Sequence, residues 1–207
     1  MTGENERQGG GKVYFIRHAK DNGRYRGGWS KRPLVREGEQ QAARLAAFVC
    51  QHQDTLSIQT IIASDLQRGF QTAQPVAELL GISMQKSMEW REMNNGRLAG
   101  MLHSEAERRY PGIYWSTLDM DQKYPGGESP REFFCRIRDA LASLKEGVES
   151  GAIPANVLLV THSGVINVLY SLIGGQEWSN KIRSFNIPHA SIHEYDIENN
   201  MIRKFML

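Results

Sequence analysis

Apolar residues along this chain fall into two rhythms. Short runs at 12–17, 58–63, 156–161 and 190–197 are rich in Val, Ile and Leu and bounded by turn-forming residues, which predicts β-strands. Between them the spacing lengthens. Ala42, Leu45, Ala46 and Val49 share one face of a helix predicted from about Glu37 to Gln53, and Phe134, Ile137, Leu141, Leu144 and Val148 repeat the pattern further on. Ser64-Asp65-Leu66-Gln67 and Ser129-Pro130-Arg131-Glu132 both have the form of a capping box at a helix start, the second with proline in the favoured first position. Pro75 lacks a backbone donor and crowds the carbonyl four residues earlier, so the helix beginning near Asp65 is expected to bend or break there. The "IENNMI" segment reads as a turn between two strands.

Buried strands alternating with amphipathic helices predict an α/β fold, a three-layer α/β/α sandwich around a mostly parallel sheet. Residues 12–207 are expected to form a single domain, preceded by a flexible polar, glycine-rich tail at 1–11. In such sheets the ligand site lies outside the carboxyl ends of the strands, so the polar residues that follow each apolar run are the candidates for chemistry.

Composition narrows the classes. A hydrophobic share of 40%, a charged share of 23% and a mean hydropathy of −0.48 are those of a soluble globular chain. The formal charge of +2 is too small and too dispersed for bulk attraction to nucleic acid, and no apolar run reaches membrane-spanning length. Cys50 and Cys135 lack metal-ligand spacing and read as small core residues in a reducing compartment. With no secretory signal pattern at the start, a cytoplasmic protein is expected. Oligomeric state stays open, with a homodimer as the partner considered.

Three runs end in reactive groups. "VYFIRH" delivers Arg17 and His18, "TIIASDLQR" delivers Ser64 and Arg68, and "VLLVTHSG" delivers Thr161 and His162. If these strands are parallel neighbours, two histidines and two arginines converge at one edge. Glu92 stands nearby in the glycine-containing loop "EWREMNNGRLAG", with Glu89 as its rival. Guanidinium forks match phosphate oxygens in pairs, imidazole is nucleophilic near neutral pH, and a carboxyl group can protonate a departing oxygen. Together they suit phosphoryl transfer through a phosphohistidine.

The remaining features have plainer readings. His52, His103, His189 and His193 are taken as structural histidines, with His103 close enough to the Glu92 loop to touch substrate. Lys20, Arg24 and Arg26 either guide an anionic substrate or form a solvated surface. Trp90, Trp115 and Tyr114 read as core or lid residues. "GGGK" is no nucleotide-binding loop, since Glu6 and Val13 stand where glycine and a hydroxyl residue belong. "THSGV" lacks both glycines of a serine hydrolase elbow.

Five segments, in order, resemble the histidine phosphatase superfamily, the branch of cofactor-dependent phosphoglycerate mutases and small bacterial phosphatases. They are Arg17-His18, "SDLQRGFQTA" around Arg68, Glu92 followed by Gly96 and Gly100, "PGGES" at 125–129 and "THSGVI" around His162. The resemblance implies a phosphoglycerate mutase-like fold with His18 as nucleophile, Arg17, Arg68 and His162 as holders of the transferring oxygens, and Glu92 as proton donor. Asn22, Arg24 and Ser163 complete the substrate-side candidates. It implies no metal and no cofactor, and a small phosphate ester as partner. Ala19 departs from the glycine usual after the nucleophile. A metal-independent phosphomonoesterase is expected ahead of a phosphoglycerate mutase, because the segment from Glu92 to His162 is short for a closed lid; a non-catalytic phospho-ligand module is the alternative of another class.

Overall fold

The computed structural model describes residues 11–182 and 185–205; residues 1–10 of the predicted tail lie outside that range. The strands are β1 (Lys12–Arg17), β2 (Thr60–Ser64), β3 (Met84–Ser87), β4 (Val157–Thr161), β5 (Ile192–Asp196) and β6 (Met201–Lys204). The helices are α1 (Arg36–Gln51), α2 (Gln53–Leu56), α3 (Gln67–Leu80), α4 (His103–Arg109), α5 (Pro130–Glu149) and α6 (Ser163–Ile173), with 3₁₀ turns at Gly96–Leu98 and Trp115–Thr117. The sheet order is β3-β2-β4-β1-β5-β6. The β3, β2, β4 and β1 neighbours pair in parallel, whereas β5 and β6 join antiparallel.

The pleat divides each strand between two cores. Val13, Phe15, Val157 and Leu159 face one side with Phe133, Ile137 and Leu144 of α5 and Val165 and Leu169 of α6. Tyr14, Ile16, Ile61, Ala63, Leu158 and Val160 face the other with Leu45 and Val49 of α1 and Ala73 and Val76 of α3. This is the expected α/β/α sandwich with a mostly parallel sheet. Strands covered on both faces must be apolar throughout, which is why β1, β2 and β4 stand out in the sequence. Edge strand β3, with the sequence MQKS, carries no such signal.

Local expectations fare unevenly. Ser129 caps α5 as predicted, accepting the Glu132 amide at 3.2 Å while Glu132 accepts the Ser129 amide at 3.0 Å. Ser64 does not cap α3: it is the last residue of β2, and Leu66 occupies the N-cap without a side-chain cap bond. Pro75 does not break α3, which continues to Leu80. Ala73 and Val76, fully buried on either side of it, bind the helix into the core and offset a proline cost of about 3 kcal/mol. The cysteines are not core residues either. Cys50 is exposed and Cys135 half-buried, because the inward faces of α1 and α5 belong to Val49 and Ile137. No described helix is long and apolar enough to cross a membrane.

Candidate active site

The sheet register assembles the site. Arg17 lies opposite Thr161 and Ala63 opposite Val160, so His18, Ser64 and His162 emerge level at one sheet edge. The His18 and His162 rings lie 5.0 Å apart between centroids. His18 is 5% exposed, and its Nδ1 donates to the Ala19 carbonyl at 2.7 Å. That bond assigns the lone pair to Nε2, which receives the Arg68 Nε–H at 3.3 Å. The Ala19 methyl, in place of the usual glycine, fills a small apolar contact with Leu34 and Ala42.

Arg68, in the first turn of α3, is 1% exposed. Besides His18 it donates to the Gly28 carbonyl at 2.8 Å and the Ser30 carbonyl at 3.3 Å, and it lies 3.7 Å from the Asp21 carboxylate. Arg17 donates to the Ile187 carbonyl at 2.5 Å and meets His189 Nε2 at 2.8 Å. His162 is fully buried; its Nε2 is 2.8 Å from Ser64 Oγ, and its Nδ1 is buried with no hydrogen-bond partner. Ser64 therefore orients a site histidine in place of the helix cap expected of it.

Electrostatics keeps the imidazoles neutral. Burial, then the Arg68 and Arg17 guanidinium groups, push His18 well below the ordinary imidazole range. Burial, then Arg68 and His18, do the same to His162. A neutral His18 with its lone pair at Nε2 is the nucleophilic form at neutral pH. His18, Asp21 and His189 bring ligand-type atoms within 4.8 Å of one another, but the Arg17 and Arg68 guanidinium groups flank them and donate to both imidazoles. Two fixed cations in a dry pocket favour an anion over a metal ion.

Glu92 approaches from a separate loop. Its carboxylate accepts the Met93 amide at 3.1 Å and, at the start of α6, the Gly164 amide at 3.0 Å. A Cβ on Gly164 would lie 2.2 Å from Glu92 Oε1, so only glycine admits this approach. Arg136 of α5 holds the loop from behind, donating to the carbonyls of Glu89, Arg91 and Glu92 at 2.7, 3.0 and 3.2 Å. Glu128 of "PGGES" pairs with Arg136 at 2.7 Å and accepts the Asn94 amide at 2.7 Å. That motif is scaffold for the Glu92 loop. Glu89, the rival carboxylate, is exposed.

The other candidates separate. Ser163 and Gly164 line a cavity of about 340 Å³ together with Arg26, Glu92, His103, Trp115, Tyr124 and Trp178. Asn22 uses its side-chain oxygen on the Arg24 amide at 3.1 Å, and Arg24 is exposed. Lys20 pairs with Glu37 on the surface. His193 hydrogen-bonds Tyr170 and Ser191, as a structural histidine does. His189 does not fit its structural reading: it touches Arg17, and its ring lies 5.5 Å from that of His18. Burial and Arg17 lower it to about 4. Because β5 is antiparallel, the residues before it, not after it, face this edge. The turn "NIPHAS" before the last apolar run was the available signal. Asp21, within the polar loop after His18, was likewise missed.

Comparison with known proteins agrees with this architecture. Residues 13–204 match the model of the histidine phosphatase superfamily (branch 1), and the chain belongs to that family. It is 32% identical over 195 residues, 90% of this chain and 85% of the other, to a "Probable phosphoglycerate mutase GpmB" of Salmonella choleraesuis (strain SC-B67). Among solved structures it resembles a putative alpha-ribazole-5'-P phosphatase from Escherichia coli str. K-12 substr. MG1655, with a TM-score of 0.79 and 21% identity over 96% of both chains. It also resembles mycobacterial glucosyl-3-phosphoglycerate phosphatase Rv2419c, with a TM-score of 0.74 and 24% identity over 94% of this chain and 96% of the other. The protein is thus an enzyme of histidine phosphatase type, related to both mutase-like and phosphatase relatives.

Proposed function

We propose that the protein is a metal-independent phosphomonoesterase that hydrolyses a small phosphate ester through a phosphohistidine on His18. The observation that carries this reading is the His18 ring itself, tied at Nδ1 to the Ala19 carbonyl and presenting Nε2 to Arg68. The Nε2 lone pair attacks phosphorus in line, the bond from phosphorus to the ester oxygen breaks, and the leaving oxygen takes a proton from Glu92. Water then attacks the phosphohistidine, its proton passes to Glu92, and the N–P bond breaks to release phosphate and restore neutral His18.

Arg17, Arg68 and His162 stabilise the charge on the three transferring oxygens. The bare Nδ1 of buried His162 becomes a donor once a dianion raises its proton affinity. His189 meets the second guanidinium nitrogen of Arg17 as a neutral ring and, with the Ile187 carbonyl, positions that cation. Asn22, Arg24 and Ser163 are left as substrate-side candidates, of which Ser163 has the cavity as support.

The test is hydrolysis of a phosphomonoester panel in EDTA by the wild type and His18→Ala, with trapping of acid-labile, base-stable phosphoprotein. Turnover and labelling that vanish in the variant are expected; turnover that persists without His18, or needs a divalent ion, overturns the route. The relatives named as probable phosphoglycerate mutases favour a second reading, return of the phosphoryl group to a bound product. The open cavity beside Glu92 favours transfer to water. Bisphosphoglycerate-primed interconversion of phosphoglycerates, with negligible hydrolysis, selects the mutase instead. Phosphate binding with no turnover of any ester selects a non-catalytic module.

A further inference from the structure

One short turn, residues 187–191 ahead of β5, holds Arg17 by both its side chain and its backbone. The Ile187 carbonyl and His189 Nε2 accept from the two terminal guanidinium nitrogens at 2.5 and 2.8 Å. The Ser191 carbonyl accepts the Arg17 amide at 3.2 Å, and the Ala190 amide donates to the Arg17 carbonyl at 3.0 Å while reaching the His18 carbonyl at 3.4 Å. The turn is not relaxed. Ala190 has a φ of 57°, a left-handed conformation that a residue with a Cβ keeps only where its surroundings impose it.

A buried hydrogen-bond chain imposes it. Ser191 Oγ donates to the Pro188 carbonyl at 2.7 Å across the turn, and the Ser191 amide meets the same carbonyl at 3.2 Å. With its proton spent there, the Ser191 hydroxyl accepts from His193 Nε2 at 2.9 Å, which leaves the imidazole lone pair at Nδ1 to accept the Tyr170 hydroxyl at 2.9 Å. His193 is buried, and burial followed by Lys204 lowers it to about 4, so the ring is neutral and donation runs one way from Tyr170 to Pro188. Tyr170 is itself anchored on α6. Its ring stacks on Phe185 at 4.4 Å between centroids, and Asn167, one helical turn earlier, accepts the Phe185 amide at 3.1 Å. A break in this chain frees the Ser191 hydroxyl and the strained turn. The shift passes to Arg17, because four residues of the same turn contact that arginine.

We propose that His193 and Tyr170 are positioning residues for phosphoryl binding: through Ser191 they set the turn 187–191, and the turn sets the Arg17 guanidinium. The histidine that reads as purely structural thereby acts on the site at one remove. The inference rests on the reading of Arg17 as a holder of the transferring oxygens.

Tyr170→Phe tests it most cleanly, since it removes the hydroxyl and keeps the ring on Phe185. At a temperature where both proteins are folded, it should weaken calorimetric binding of inorganic phosphate, and lower kcat/KM for p-nitrophenyl phosphate, by about threefold to tenfold, the worth of one hydrogen bond. His193→Ala should cost about tenfold or more, and His193→Gln, whose amide N–H reaches toward the place of Nε2, should recover most of that loss. In Arg17→Ala, which keeps Arg68 and His162 for the anion, Tyr170→Phe should change phosphate affinity no further, because the group it positions is gone. A merely structural role gives a different pattern, a lower melting temperature with equal effects in both backgrounds. Unchanged phosphate affinity in Tyr170→Phe and His193→Ala overturns the inference, as does an equal loss with and without Arg17. Should His193→Ala fail to fold, Tyr170→Phe and His193→Gln carry the test. Coupling to Arg17 in phosphate binding, without hydrolysis of any ester by the wild type, keeps the positioning chain and rejects the phosphatase reading; hydrolysis without that coupling rejects the chain alone.

Discussion

The buried histidine–arginine pocket and the cavity beside Glu92 lie side by side but are built from different material. The pocket grows from the ends of β1, β2 and β4 and the first turn of α3, and its His18, Arg68 and His162 are almost wholly buried. The cavity is walled mostly by loops and short turns around residues 26–28, 92–95 and 178–182, closed on one side by Ser163, Gly164 and Asn167 at the start of α6. Strand ends locked by sheet hydrogen bonds hold reacting groups to within fractions of an ångström. Loops tolerate change, so substrate choice can vary on them without disturbing the chemistry. The contrast explains how one family can include relatives named for different phosphate compounds.

The largest expected effect lies in the pocket. His18→Ala should lower kcat/KM by at least about 10⁴-fold for every ester alike, since the covalent route is lost; an effect that differs between esters breaks the division of labour. Glu92→Gln tests the boundary between the regions. It should cost about 10²–10⁴-fold on alkyl phosphates and far less on p-nitrophenyl phosphate, whose leaving group needs no proton. An equal loss on both removes Glu92 from the acid role.

Gly164→Ala is a finer probe of that boundary. Its Cβ would fall 2.2 Å from Glu92 Oε1 and push the carboxylate aside. A loss of about 100-fold in kcat, with the melting temperature little changed, is expected from misplacing a catalytic group by about 1 Å. Unchanged kcat means the carboxylate does not act from this position.

The smallest effect is on stability. His189 and His193 are lowered to about 4 from the ordinary 6.5, in both cases chiefly by burial, followed by Arg17 for His189 and Lys204 for His193. Between those values the unfolded chain binds more protons than the folded one. Stability therefore rises with pH across this window and is lost as pH falls from about 6.5 toward 4. Thermal unfolding at pH 7.5 and 5 checks the sign, and His189→Gln should flatten the slope. A slope unaffected by that change shows that His189 is not held neutral beside Arg17 in the folded chain.

Much of the site was legible because its information is local. An apolar strand that ends in Arg-His or Thr-His announces itself in a few residues, and Arg17, His18, Arg68, Glu92 and His162 were all identifiable before the fold was seen. Ser129 was legible as a cap for the same reason, since both halves of its box lie within one helical turn. Ser64 carried the same local pattern and was misread. Its hydroxyl faces His162, 98 positions away, and nothing nearby in the chain records that partner. Asn22 matched an expected binding role but spends its oxygen on the Arg24 amide.

The sequence by itself therefore determined the sandwich, its four inner strands and the candidate histidines and arginines at the ends of β1 and β4 and the start of α3, because hydrophobic period and strand-end chemistry are short-range properties. The "IENNMI" turn pointed to β6, but only the tertiary structure decided that β3 completes the other side of the sheet, since an exposed edge strand needs no apolar pattern. It alone brought His189 to Arg17, because an antiparallel β5 presents its beginning where its parallel neighbours present their ends. It alone set the Arg26 guanidinium against the Tyr114 ring, because burial of a charge depends on what the rest of the chain packs around it.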